Sequence, residues 1–223
     1  MAEETIDQRL PYRVGFPNPL PVLPLFTAPG EVDDDRALQN AVRNILQEHG
    51  IRPYFTSTPL HFQYRYVQEP LLKSNVRQTA LIECVYESPR AKPRWVEAAT
   101  KIRRFLLNYS PPIQCRLELI DRVYEESRRM SPVFPTKHIA VMWQDGFRQR
   151  IIDKIQGRQW KKVELVHLTR IKYDGGRDGK TTIVIEATDV RENIWWDELL
   201  PEIRRMLPKG VELELRRWQQ PWH

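Results

Sequence analysis

The chain has 223 residues, of which 41% are hydrophobic and 29% are charged, with a formal net charge of +6 at pH 7. This composition, with seven Trp, eight Tyr and seven Phe, excludes a disordered chain and allows one large domain or two small ones. The apolar runs fall short of the ~18 residues that a membrane-spanning helix needs, so we expect no contact with a membrane.

The N-terminus and the cysteines indicate an intracellular protein. The opening MAEETIDQRL is acidic and lacks the apolar stretch of a signal peptide. Cys84 and Cys115 show neither a CxxC motif nor metal-site spacing, and they are typical of buried thiols in a reducing compartment. We therefore expect a cytoplasmic or nuclear protein that is not secreted and has neither a metal nor a cofactor.

The first half predicts alternating strands and helices behind an acidic, proline-rich arm, residues 1–19. A proline-weakened strand, VLPLF (22–26), precedes a helix whose buried face holds Leu38, Val42 and Ile45. The remaining elements are the strands HFQYRYV and QTALIECVYE, a helix with Trp95, Ala99, Ile102 and Leu106 on one face, and the strand CRLELIDR.

The second half repeats this order after a charged, proline-bearing linker. KHIAVMW (137–143) alternates like a strand, and the following helix places Phe147, Ile151 and Ile155 on one face. The later elements are the strand WKKVELVHLTRIKY, a turn DGGRDGK, the strand TTIVIEAT, a helix with Trp196, Leu200, Ile203 and Leu207 on one face, and the strand VELELRRW.

Two matching segments, starting at Thr79 and Thr181, place IRR seven residues after a Trp in both halves. The order β-α-β-β-α-β in each half predicts an α+β protein of two tandem ferredoxin-like repeats packed as a pseudo-dimer. The predicted parts are the arm at 1–19, repeat 1 at 20–123, the linker at 124–135 and repeat 2 at 136–223.

We also expect the segment 11–29 to dock on the body, because it is too apolar for a free tail. A free arm would instead offer the PxxP of PLPVLP to a proline-binding domain.

The sequence contains no local catalytic motif, so the enzyme hypothesis depends on a cluster of titratable residues. If His138 begins a central strand, it lies beside the strands that carry Glu186, Glu212 and Glu214. One imidazole and several carboxylates on one sheet face would suit acid–base chemistry or a divalent metal. The competing interpretation is an ordinary solvated sheet face, and we expect no enzyme.

Three functions follow from these observations. The leading prediction is a non-enzymatic protein-interaction or scaffold module with a protein partner or self-association. The alternative is a small-molecule-binding protein or enzyme that uses a cleft between the two repeats, as in dimeric α/β barrels. The third is nonspecific nucleic-acid binding through basic loops such as SPRAKPRW, since residues 36–223 carry a net positive charge while residues 1–35 are acidic.

Overall fold

The computed structural model describes residues 5–23, 25–30, 35–66, 78–134 and 138–218. The protein is α+β and divides into two compact units. Unit 1 comprises Met1–Pro21, Leu25–Glu126 and Lys172–Gly175, and unit 2 comprises Val22–Pro24, Ser127–Ile171 and Gly176–His223. The domain limits inferred from the sequence stay a prediction.

Unit 1 contains a six-stranded sheet with the order β1-β2-β6-β5-β4-β3. Its strands are β1 (Asp7–Leu10), β2 (Arg13–Phe16), β3 (Phe26–Pro29), β4 (Leu60–Tyr66), β5 (Gln78–Glu83) and β6 (Arg116–Ile120). Its helices are α1 (Arg36–Glu48), α2 (Lys92–Leu107) and α3 (Arg122–Glu126). The proline-rich arm forms β1 and β2, and β2 pairs with β6, so the arm extends the sheet.

Helix α1 forms where the sequence predicts it. Its N-cap Asp35 accepts hydrogen bonds from the backbone nitrogens of Ala37 and Leu38, which satisfies donors that the first helical turn leaves free. The fully buried face holds Leu38, Val42 and Leu46, so the core position is Leu46 in place of the predicted Ile45.

Unit 2 contains a four-stranded sheet with the order β10-β9-β8-β7. Its strands are β7 (Arg129–Pro132), β8 (Trp160–Ile171), β9 (Arg177–Ala187) and β10 (Val211–Arg217). Its helices are α4 (His138–Met142), α5 (Arg148–Lys154) and α6 (Leu200–Met206). The helices cover one face, where Phe147, Ile151 and Ile155 pack with strand residues such as Val163 and Ile185.

The ferredoxin-like arrangement is not confirmed, although residues 26–120 of unit 1 and 129–217 of unit 2 both follow the order β-α-β-β-α-β. In that fold the first strand lies between the third and fourth strands. Here β5 pairs directly with β6, and β9 with β10, in parallel, while the first strands β3 and β7 pair with β4 and β8 at the sheet edge. The predicted packing of the repeats as a pseudo-dimer stays a prediction.

The first strand of each repeat was predicted at the wrong place. Within VLPLF only Phe26 belongs to a strand, and Pro24 lies outside the described residues. Within KHIAVMW, the residues His138–Met142 are helical and Lys137 lies outside the described residues. The actual first strand of unit 2 is Arg129–Pro132, inside the predicted linker. None of the described helices is long and apolar enough to cross a membrane.

Candidate functional site

Among the described residues, the N-terminal half of β8 is paired with another strand on one side only. Strand β8 pairs with β9 from Trp160 to Ile171, with a shift of register between Trp160 and Lys162. On its other side, the described part of the chain pairs Val166–Thr169 with β7. The segment from Trp160 to Leu165 therefore lies beyond the end of β7.

Side-chain hydrogen bonds show which backbone groups of β8 point to this edge. The carbonyl of His167 accepts from Ser131 Oγ at 3.4 Å, and the nitrogen of Ile171 donates to Ser127 Oγ at 2.8 Å. The carbonyl of Val163 accepts from Arg148 Nε at 3.4 Å. Because peptide groups alternate in direction along a strand, the backbone of both Val163 and Leu165 points away from β9.

A groove of about 420 Å³ runs along this edge. Its lining consists of Trp143, Arg148, Lys161, Lys162, Val163, Glu164 and Leu165. Three of these side chains are cationic and one is anionic, and Lys162 Nζ lies 2.8 Å from Glu164 Oε2. The hydrogen bond to Glu164 raises the pKa of Lys162, so this lysine stays charged. The groove therefore combines outward backbone groups with an excess of positive charge.

The turn between α4 and α5 forms the opposite wall of the groove. Gly146 has a φ of +92°, a value that glycine adopts without steric cost. This residue breaks the helix, so that Trp143 precedes the turn and Arg148 begins α5. Trp143 also packs edge-to-face against the buried Phe147, with ring centroids 6.5 Å apart, which holds the indole in place.

The corresponding edge of unit 1 is closed by its own chain. Strand β3 pairs with Gln63–Tyr66 of β4, and Gly30 N donates to the carbonyl of Phe62. Beyond β3, the side-chain amide of Gln39 on α1 donates to the carbonyl of Leu60 at 2.8 Å and accepts from its nitrogen at 3.1 Å. A smaller cavity of about 240 Å³ lies here, lined by Thr27, Pro29, Gly30, Leu60, His61, Phe62 and Gln63. Its lining includes no Lys or Arg.

Each sheet carries a glutamate that is paired with arginines. In unit 1, Glu118 Oε1 accepts from Arg13 Nε at 2.6 Å and lies 2.5 Å from Arg65 Nη1. Burial alone would raise the pKa of Glu118, but the charges of both arginines outweigh burial and hold this pKa below its usual value. The side chain of Glu118 is only 2% exposed, so the three residues form a buried charge network.

Unit 2 has a related network around Glu214. Arg170 Nη2 donates to Glu214 Oε2 at 2.5 Å, and Arg216 Nη1 donates to Glu214 Oε1 at 3.2 Å. Glu118 and Glu214 are the central residues of the two Leu-Glu-Leu segments of the repeat. Both networks are compact ion pairs, so we assign them a structural role.

The structure places His138 on a helix, apart from the three predicted glutamates, which share one face of the neighbouring parallel strands β9 and β10. His138 lies on α4 and is exposed, whereas Glu186 lies on β9, and Glu212 and Glu214 lie on β10. Glu212 pairs with Lys180 at 2.5 Å, and Glu214 pairs with arginines. Within the described part of the chain, no hydrogen bond or ion pair joins His138 to these carboxylates.

Burial raises the pKa of Glu186, with a further contribution from Glu164. Across residues 5–23, 25–30, 35–66, 78–134 and 138–218, no group of three or more His, Cys, Asp or Glu could hold a metal ion. The catalytic role of the four predicted residues stays a hypothesis without a shared geometry.

The two cysteines are free and buried. They flank the neighbouring parallel strands β5 and β6 at opposite ends, because Thr79 of β5 is level with Arg116 of β6. Cys84 is therefore about 20 Å along the strand direction from Cys115, at roughly 3.3 Å per residue. Burial raises the pKa of both thiols, which makes them poor nucleophiles.

Comparison with protein-family models, with curated proteins and with solved structures finds no match to this chain. The sequence interpretation also missed Trp143, Arg148 and the lysines of β8. The available signal was the length of WKKVELVHLTRIKY, which exceeds that of every other predicted strand. A strand longer than its neighbour leaves part of one edge unpaired.

Proposed function

We propose that this protein is a non-enzymatic protein-interaction module that binds an extended, acidic segment of a partner by strand addition at β8. The observation that carries the proposal is the open edge at Val163 and Leu165, whose backbone groups point into a groove. An added strand gains main-chain hydrogen bonds from such an edge and specificity from the neighbouring side chains.

Unit 1 supplies an internal example of the proposed interaction. There β3 and the Gln39 amide occupy the edge position beside β4. In unit 2 the matching position beyond β7 receives only the long hydrogen bond from Arg148 among the contacts of the described residues. A partner strand would take the place that β3 and Gln39 fill in unit 1.

The charge of the groove selects the partner. Arg148, Lys161 and Lys162 exceed the single Glu164 by two positive charges, and residues 36–223 as a whole are basic. Electrostatic complementarity speeds association and rejects partners of the wrong charge. We therefore propose an acidic segment with small or β-branched residues between the acids, since these favour the extended conformation.

The test uses three fluorescein-labelled nine-residue peptides: alternating Glu and Val, alternating Lys and Val, and a Glu–Val peptide that carries an N-methyl group on every residue. Binding to the full chain is measured by fluorescence anisotropy. We expect the Glu–Val peptide to bind, and the other two to bind at least roughly ten-fold more weakly, because one is repelled and the other lacks the N–H donors that face the edge. Equal binding of the N-methylated peptide would exclude strand addition.

Charge-reversal variants test whether the groove beside β8 is the surface that binds the peptide. Lys161→Glu combined with Arg148→Glu should weaken binding of the Glu–Val peptide by roughly ten-fold at low ionic strength. Arg205→Glu combined with Lys209→Glu is the charge-matched control, because both residues are exposed and neither lines the groove. An equal effect of both changes would show that only the overall charge matters. Concentration-dependent sedimentation of the chain alone would instead identify a second copy as the partner.

Nonspecific nucleic-acid binding is the second candidate, and the combination of three basic side chains with Trp143 favours it. Single-stranded nucleic acid binds to positive grooves with aromatic stacking platforms. A labelled oligothymidylate tests this function, and a steep loss of affinity with salt that the double variant abolishes would support it. Binding of the oligonucleotide without binding of the Glu–Val peptide would replace the leading proposal. The ligand-binding cleft between the repeats stays a prediction.

We also propose that the two units are copies of one β-α-β-β-α-β unit with the strand order 4-3-2-1. The shared element order, the parallel third and fourth strands and the two Leu-Glu-Leu segments support this proposal. It retains the repeat inferred from the sequence with a different strand order.

A further inference from the structure

Strand β7 presents a serine in a basic, proline-containing segment. The sequence from residue 128 is Arg-Arg-Met-Ser-Pro, and all four residues of β7 are exposed. Protein kinases that recognise arginine on the N-terminal side of the acceptor use carboxylates in their substrate channel to bind it. A short, exposed edge strand is also the part of a sheet that opens at the lowest cost.

The neighbours of Ser131 suit a phosphate. His167 lies directly opposite Ser131 on β8, so the two side chains share a face with Cβ atoms about 5 Å apart. Arg129 lies two residues before Ser131 and projects to the same face. The buried Nδ1 of His167 has no hydrogen-bond partner within the described ranges. A cation and an unpaired imidazole nitrogen thus flank the hydroxyl.

We propose that Ser131 is a phosphorylation site and that Arg129 and His167 hold the resulting phosphate. The Ser131 oxygen attacks the γ-phosphorus of a nucleoside triphosphate bound to the kinase. The bond from that phosphorus to the bridging oxygen breaks, the hydroxyl proton passes to a base of the kinase, and the products are phosphoserine and a nucleoside diphosphate. The phosphate adds nearly two negative charges and oxygens that accept charge-assisted hydrogen bonds.

The modification would also regulate the groove, a consequence that rests on the proposed function. Leu165 lies two residues from His167 on β8, about 7 Å along the strand. The phosphate therefore lies within about one Debye length of the end of the groove at physiological salt. Its charge repels an acidic peptide, so phosphorylation should weaken binding of the Glu–Val peptide by roughly two- to five-fold.

The first experiment asks whether the folded chain accepts a phosphate at Ser131. The full chain and its Ser131→Ala variant are incubated with radiolabelled ATP and, in separate reactions, an arginine-directed kinase and a proline-directed kinase. The free peptide of residues 125–137 is the comparison, and its Ser131→Ala version gives the background from Ser127 and Thr136. We expect one phosphate on the chain, lost in Ser131→Ala. Labelling of the peptide but not the chain, or of neither, overturns the proposal.

The second experiment uses the chain with phosphoserine inserted at position 131 during translation. Its melting temperature should exceed that of the unmodified chain by about 2–5 °C, and the difference should disappear in His167→Ala and Arg129→Ala. An unchanged difference in both variants contradicts the assigned phosphate contacts. If the unmodified chain does not bind the Glu–Val peptide, the proposed function fails, whereas the labelling and melting results still decide whether Ser131 is modified.

Discussion

The two units treat the same edge differently. In unit 1, both backbone groups of Leu60 bond to the amide of Gln39, and β3 covers the next residues of β4. In unit 2, β8 extends past β7, and the carbonyl of Val163 receives a 3.4 Å hydrogen bond from Arg148. Unsatisfied strand edges pair readily with other chains. A common plan therefore yields one edge that Gln39 and β3 close and one edge that, among the described residues, receives a single long hydrogen bond beyond β7.

The glutamates of the Leu-Glu-Leu segments show a parallel difference. Glu118 is 2% exposed and its two arginines come from β2 and β4. Glu214 is 12% exposed and one of its arginines is a neighbour on its own strand. The network of unit 1 therefore joins three strands that are distant in sequence, because the arm contributes β2.

The largest expected effect tests the equivalence of the two repeats. Trp95 and Trp195 are the largest fully buried side chains of the described chain. Replacing either with Ala should lower the free energy of unfolding of its own unit by about 3–5 kcal/mol. Trp196→Ala is the matched control and should cost less, because Trp196 is only partly buried. Hydrogen exchange in each sheet during urea titration measures the stability of the two units separately. An equal loss of unfolding free energy in Trp195→Ala and Trp196→Ala would contradict the assignment of Trp195 as the buried equivalent of Trp95.

The next effect compares the buried networks. Glu118→Gln leaves two buried guanidinium groups without an anionic partner and should cost about 3–5 kcal/mol. Glu214→Gln should cost about 1–3 kcal/mol, because its site is more accessible to water. The exposed Glu97, 69% accessible, provides the control substitution to Gln with no measurable effect. Chemical unfolding monitored by amide exchange in β6 and β10 gives the loss of stability in both variants. A larger loss in Glu214→Gln than in Glu118→Gln would contradict the prediction.

A smaller effect tests the closed and open edges directly. Gln39→Ala removes two hydrogen bonds from the buried backbone of Leu60 and should destabilise unit 1 by about 1–3 kcal/mol. Arg148→Ala removes one long hydrogen bond at a solvated edge and should change the stability of unit 2 by less than about 0.5 kcal/mol. Amide exchange at Leu60 and Val163 reports the two edges. A loss of stability in Arg148→Ala as large as that in Gln39→Ala would mean that Arg148 closes the edge as Gln39 does.

The sequence predicted the element order because that order depends on local patterns. Apolar spacing correctly identified α2, α5 and the β8–β9 hairpin. The spacing of four between Ile139, Trp143, Phe147, Ile151 and Ile155 extends the helical pattern back through KHIAVMW, where the short alternation wrongly predicts a strand. The wide π-type turn at Trp195–Leu199 shifted the buried tryptophan by one residue from the one that the repeat indicated.

The strand order and the groove could not be predicted in the same way. Which strand lies beside β5 depends on pairing between segments that are far apart in the chain. The groove depends on the difference in length between β7 and β8, and β7 was hidden in a segment that resembles a linker. Its few exposed residues carry no periodic signal, so only tertiary pairing identifies Arg129–Pro132 as a strand.

The smallest expected effect is on the pH dependence of stability. Its sign differs between the two units. The pKa of Glu118 is lowered in the folded state from its usual 4.5, so its contribution is present above about pH 4.5 and is lost as the pH falls through the folded value. The pKa of Glu186 is raised by burial, so its charged form destabilises unit 2 above that pKa, and acidification removes the penalty. Glu186→Gln should therefore stabilise unit 2 slightly at pH 7 and have no effect at pH 3. Glu118→Gln should destabilise unit 1 at pH 7, and by less at pH 3. Amide exchange of β6 and β9 in both variants at the two pH values measures this, and a stabilisation by Glu186→Gln that persists at pH 3 would show that charge is not its cause.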